Sequence, residues 1–309
     1  MSSIASAGMS PEGAAGLPGQ APRLRQAAEA LSQRLPALMV EADRVAATVA
    51  PGVHGRRRTG MGETFWQFRQ YQAGDAADSI DWRQSARSRH LFVREQEWEA
   101  AESVWLWCDL SASMSFRSGT KLPLKWERAV LLALALASLL VRGGERVALL
   151  GGGERPATGR YGMATLTRCL VTAAGERSSE APFPPLPRHA RVVLLSDFLV
   201  PLDRLRDRLG QFGSLGARAC LMQIVDPAEE HLPYQGRVLF EGTEHDGTAL
   251  IDHVGGIRVR YSELFSAHRE SLAGIAGRQG WRFTAHRTDN SPQTALLALM
   301  GMLAPRMVG

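Results

Sequence analysis

Val104-Trp105-Leu106-Trp107-Cys108-Asp109-Leu110-Ser111-Ala112-Ser113-Met114 decides the fold. A short run of β-formers ends in an acid, and two hydroxyls follow at alternate positions. An apolar run from Trp126 to Val141, too long for a strand, comes next and reads as a helix. Strand, Asp-x-Ser-x-Ser loop and helix open a doubly wound α/β domain. In such domains ligands bind outside the carboxyl ends of the strands, where the strand order reverses. A second strand, Val192 to Leu195, ends in Ser196-Asp197. If the two strands are neighbours, two carboxylates and two hydroxyls meet at one sheet edge. That all-oxygen set suits a hard divalent cation such as Mg²⁺.

Working outward, the alternation continues. Strands are predicted at Arg146 to Leu150, Ala219 to Val225 and Trp281 to His286, with a short edge strand at Arg155 to Arg160. Helices are predicted at Ala164 to Ala174, Leu202 to Phe212, Tyr261 to Arg278 and Pro292 to Leu303. This rhythm implies a mostly parallel sheet covered on both faces. It is broken at about 227–260, where Gly and Asp turns separate short runs such as Arg237 to Phe240 and Ile257 to Arg260. These predict a β-hairpin insertion. The Ser- and Pro-rich stretch from Glu176 to His189 reads as a loop.

Three zones result: a disordered tail over 1–22, an N-terminal helix plus small β-rich module over 23–102, and the α/β domain over 103–309. The helix, Arg23 to Val49, carries apolar residues at three- and four-residue steps; Pro36 is expected to kink or split it. The β-rich module interleaves arginines with Phe65, Trp66, Phe68, Tyr71, Trp82 and Phe92. Nucleic acid could use the arginines of 56–94 on phosphates and the aromatics for stacking. The plainer reading makes the aromatics core and pairs the arginines with Glu63, Asp75, Asp78, Asp81 and Glu95, and it is preferred because acids thread the same segment.

The net charge of +5 and pI of about 9.5 are too mild to select a partner. Three widely spaced cysteines, Cys108, Cys169 and Cys220, each lie in an apolar run and are expected to be buried free thiols of a reducing compartment. No secretory signal is read in the first residues, and the longest apolar run falls short of the roughly 20 residues of a membrane span. A cytoplasmic protein is expected.

The Asp109-x-Ser111-x-Ser113 loop, with Ser196-Asp197, resembles the metal-ion-dependent adhesion site of von Willebrand factor A domains. Further motifs narrow the resemblance: Arg69-x-Tyr71-x-x-Gly74-Asp75, Ile80-Asp81-Trp82, Ser85-Ala86-Arg87, Val93-Arg94-Glu95-x-Glu97, Leu195-Ser196-Asp197-Phe198 and Asp226-Pro227-x-Glu229. Together, from about His54 to Leu303, they resemble the bacterial DUF58 family. The resemblance implies a cytoplasmic adaptor working beside a MoxR-type AAA+ ATPase. It implies Mg²⁺ or another divalent cation held by Asp109, Ser111, Ser113 and Asp197. A partner's acidic residue would then complete the coordination. The Thr that the second loop usually supplies is missing; Thr165, Ser178 and Ser179 are the substitutes. Asp78 also departs from the pattern, which carries a basic residue there. The competing reading is that Asp109 and its serines cap the following helix.

No Gly-x-Ser-x-Gly elbow, phosphate-binding Gly-Lys loop or convergent histidine set accompanies this site, so a non-enzymatic binding module is expected. The alternatives are a Mg²⁺-dependent phosphoryl-transfer enzyme with Asp109 as nucleophile, or nucleic-acid binding through 56–94.

Overall fold

A computed structural model describes residues 20–53, 65–71, 80–88, 90–96, 102–176, 179–243 and 247–304. Its centre is a five-stranded parallel sheet built from β3 (Ser103–Cys108), β4 (Arg146–Leu149), β5 (Arg191–Ser196), β6 (Arg218–Val225) and β9 (Arg282–Arg287). The order is β4-β3-β5-β6-β9. The chain leaves β3 for β4 on one side and returns to β5 on the other, so the order reverses between β3 and β5. Asp109 and Asp197 lie just past the ends of those two strands.

The strands alternate faces as their period of two requires. Val104, Leu106 and Cys108 join the core on one face; Trp105 and Trp107 join the core on the other. The first face carries α3 (Lys125–Arg142), α4 (Gly159–Ala174) and α8 (Pro292–Leu303). The second carries α5 (Leu202–Ser214) and α7 (Val254–Arg278). Helix α1 (Gln20–Val53) lies over α3, α4 and α8 as a further layer. That layer explains why α3 is apolar nearly all round: it is sandwiched between the sheet and α1.

Several expectations change. Helix α1 runs from Gln20 to Val53 without interruption at Pro36, so the chain is not split there. Leu31, Leu35, Leu38, Ala42, Val45, Ala46 and Val49 are buried on both sides of the proline, and this stripe outweighs one lost helix bond. The edge strand at 155–160 shrinks to a single antiparallel bridge, Val147 to Ala157, because α4 already starts at Gly159. The insertion hairpin is present as β7 (Val238–Glu241) paired with β8 (Thr248–Ile251). Ile257 to Arg260, read as a strand run, belongs to α7; its β-branched residues alternate by chance, and helix extension from Val254 overrides their propensity.

The upstream module forms an antiparallel pair of β1 (Phe65–Gln70) and β2 (Phe92–Gln96), with the one-turn α2 (Trp82–Ser85) between them. Ser85 ties the segment together, its hydroxyl donating to Asp81 O and accepting from Phe92 N–H. Trp82, expected in the core, is 65% exposed at the start of α2. Among the described residues no helix is long and apolar enough to cross a membrane. The three cysteines are free and buried, as expected.

Candidate functional site

Each strand ending at the reversal point delivers one carboxylate. Asp109 accepts the Ser111 amide at Oδ1 (2.9 Å) and the Ser196 hydroxyl at Oδ2 (2.6 Å). Its own amide donates to Leu195 O, locking the two strand ends together. Asp197 accepts the Leu199 amide at Oδ1 (3.1 Å) and the Lys125 ammonium at Oδ2 (2.9 Å). The Ser111 and Ser113 hydroxyls lie 3.1 Å apart and bond to each other. Asp109, Ser111, Ser196 and Asp197 are all buried.

A third strand end contributes as well. After β6 the short helix α6 (Pro227–His231) begins with a capping box, in which Asp226 accepts from Ala228 N–H and Glu229 accepts from Asp226 N–H. The second oxygen of Asp226 accepts the Ser118 amide at 2.9 Å, which pins the Asp109 loop to the end of β6. The second oxygen of Glu229 meets the Lys125 ammonium. Gln223, buried in β6, donates to Asp197 O at 3.1 Å.

Lys125 was not singled out from the sequence. It opens α3, and a cation in a first helical turn faces the positive end of the helix dipole. That mismatch was the available signal. The structure supplies the reason for it: Lys125 is fully buried, and its ammonium bridges Asp197 of β5 and Glu229 of α6. Burial by itself would discharge it, but the two carboxylates reverse that and hold its pKa above the ordinary lysine value. Burial, reinforced by the nearby Asp197 charge, pushes Asp109 up to about 6 even though Ser111 and Ser196 oppose the shift.

The serine loop does not cap α3. Its 3-10 turn, Ser113–Ser115, ends well before the helix, whose entry is closed by Glu127 accepting the Leu124 amide. Phe198 follows Asp197 with φ of 54°, a left-handed conformation disfavoured for a bulky side chain. Its amide is held by the Ser196 hydroxyl and its carbonyl contacts His268 Nε2. That turn swings Leu199 outward, 54% exposed at the rim.

The substitute second-loop residues are placed elsewhere. Thr165 is buried within α4, not at its start, and makes no hydrogen bond to the two aspartates or the loop serines. Ser179 lines a small cavity beside Trp107 and Phe198, on the second face of the sheet. Ser178 lies outside the described residues, as do Gly74, Asp75 and Asp78. Of the upstream motif, Arg69 lies on β1 opposite Val93, Arg94 on β2 opposite Phe68, Glu95 lies on β2, and Tyr71 donates its amide to Leu91 O. Asp81 and Trp82 lead into α2.

A divalent ion of the expected kind wants about six oxygens free to point at it. Here both oxygens of each aspartate are engaged by internal donors, and one of those donors is a cation. With Lys125 in place, the donor set does not fit such an ion.

The profile of the family described as "Protein of unknown function DUF58" matches residues 67–271. The uncharacterized protein Rv1480 of Mycobacterium tuberculosis is 30% identical over 247 residues, covering 74% of this chain and 76% of that protein. The uncharacterized protein Mb1516 of Mycobacterium bovis matches with the same figures. Among solved structures, the conserved hypothetical protein BatB from Bacteroides thetaiotaomicron aligns over 65% of this chain and 98% of its own, at 13% identity and a TM-score of 0.37.

Proposed function

Since the chain belongs to the DUF58 family, whose role is undefined, the site's geometry has to carry the reading, and we propose a non-enzymatic protein-docking module. The docking end is the rim formed by the loops after β3, β5 and β6. One observation supports this above the others. Asp109, Lys125, Asp197 and Asp226 are buried and bonded to neighbours, while Leu199 stands exposed beside them. A nucleophile or general base needs reach to a substrate atom. Asp109 instead has one oxygen closed by an amide and the other by a hydroxyl. The network is suited to holding three loops in one shape, which is what a preorganised binding surface requires.

The partner proposed is an AAA+ ATPase of the MoxR type, following the family resemblance, in a cytoplasmic setting. Pull-down from the native host with wild type and Asp109→Ala, Leu199→Asp as bait tests this. Recovery of a hexameric ATPase by wild type alone supports the module. Turnover of a generic phosphate ester, abolished in Asp109→Asn, would replace it with the phosphoryl-transfer reading. A divalent cation at Asp109, Ser111, Ser113 and Asp197 would need Lys125 to leave Asp197 first.

A further inference from the structure

We propose that the Lys125 ammonium is the resident cation of this rim, standing in the place a divalent ion would take and making the site independent of metal. The inference concerns the surface on which the docking reading rests. It is tested on the isolated protein, so loss of the docking reading leaves its outcome readable.

The placement is specific. Lys125 is fully buried although it occupies the first turn of a helix, where a lysine would ordinarily extend into water. Its head group reaches back over the strand ends to two acids 72 and 104 residues away in sequence. Asp197 is one of the four expected metal ligands; Glu229, from the helix after β6, lies outside that set. An ammonium with three donors can tie the two acids together with directed hydrogen bonds. Its charge also repels a dication: two like charges a few ångströms apart inside a protein interact strongly. Lys125 therefore both supplies the bridge and excludes its competitor.

The surroundings are consistent with a permanent resident. Glu229 is itself oriented by the Asp226 amide, so its free oxygen is aimed before the lysine arrives. The Asp197 backbone carbonyl is fixed by Gln223, and Gln223 in turn lies 3.4 Å from Arg269 Nε. Tyr261 donates to Glu229 O at 2.6 Å, tying α7 to the same corner. Positioned acceptors of this kind lower the entropy lost in ordering a long side chain.

A docking partner accordingly meets a surface without an open coordination position. Its acidic residue has no metal to complete, and recognition falls to the exposed loop atoms around Ser113 and Leu199.

The test uses full-length protein stripped with EDTA and titrated with MnCl₂, followed by calorimetry and by loss of the free Mn²⁺ spin-resonance signal. Wild type is expected to leave the Mn²⁺ signal unchanged, and its melting midpoint to be the same in Mg²⁺ and in EDTA. Lys125→Met removes the ammonium and retains both carboxylates; it is expected to gain Mn²⁺ binding at least about tenfold tighter than wild type, lifting a like-charge repulsion. Lys125→Arg keeps a cation and is expected to stay blind to Mn²⁺. Stoichiometric Mn²⁺ binding by wild type, lost in Asp109→Asn and Asp197→Asn, would overturn the inference. So would a folded Lys125→Met that gains nothing. If Lys125→Met fails to fold by circular dichroism, the wild-type titration decides alone.

Discussion

Ser196 and Asp109 face each other across the ends of two neighbouring strands, and the hydroxyl of one donates to the carboxylate of the other at 2.6 Å. The same hydroxyl oxygen accepts the Phe198 amide. One side chain therefore satisfies a buried acid and a buried backbone donor at the point where the chain turns left-handed. Ser196→Ala takes this partner from Oδ2 of Asp109 and from the Phe198 amide. The expected loss is about 1–3 kcal/mol, the cost of an unsatisfied buried group. Urea unfolding of the two proteins measures it, and an unchanged midpoint would mean that water replaces the hydroxyl.

Lys125→Ala removes the ammonium that bridges Asp197 and Glu229 and leaves one buried and one partly buried acid without it. Breaking a buried pair from one side costs about 3–5 kcal/mol. Lys125→Arg is expected to recover only part of this, because a planar guanidinium does not fit a pocket shaped for an ammonium. Guanidinium chloride midpoints of the three proteins rank them.

Asp109 carries a cost that its position imposes. Its pKa stands at about 6, above an unfolded value of 3.8. A native group that holds its proton more tightly favours the fold at low pH, and that contribution is lost as pH rises from about 4 to about 6. At neutral pH the ionised carboxylate is expected to destabilise the fold by about 3 kcal/mol, the shift converted at about 1.4 kcal/mol per unit. Asp109→Asn should then match or exceed wild type in stability at pH 7.5, and the advantage should shrink toward pH 4. Melting midpoints across that range check the sign.

His286 runs the opposite way. Burial and the Arg128 guanidinium beside it lower its pKa from 6.5 to about 4. A native group that resists protonation favours the fold at high pH; its contribution is complete above about 6.5 and is lost as pH falls through about 4. Arg128 donates to Thr288 O at 2.9 Å and Asn290 O at 2.8 Å, and its NH1 lies 3.2 Å from His286 Nε2. His286→Gln, which cannot charge, is expected to lose less stability than wild type between pH 6.5 and 4. The double variant with Asp109→Asn should separate the two opposed slopes, and identical slopes in wild type and His286→Gln would remove histidine from the account.

The strand-loop-helix reading at Val104 to Val141 placed the acid at the carboxyl end of a strand, and the second Ser-Asp pair at the end of another. Local pattern suffices for this, since β periodicity and a following apolar run are properties of consecutive residues. The hairpin insertion and its first strand were legible for the same reason, but not its second strand, β8. Residues with mixed signals were not: Ile257 and Val259 favour strand by propensity and are helical, and Pro36 sits within an unbroken helix because an apolar stripe spans it. The serines after Asp109 looked equally suited to a metal or a helix cap, because both uses need the same atoms at the same spacing.

By itself, then, the sequence determined a doubly wound α/β domain and the sheet edge at which its two signature aspartates end. Only the tertiary structure decided what those acids touch. Lys125 lies far from both of its partners along the chain, and nothing in its neighbours in sequence marks the direction of its side chain. Its burial follows from the sheet order that brings β3, β5 and β6 side by side, so that three loops enclose one ammonium. Charge pairing across distant segments depends on distance in space, and that distance exists only once the strands have been ordered.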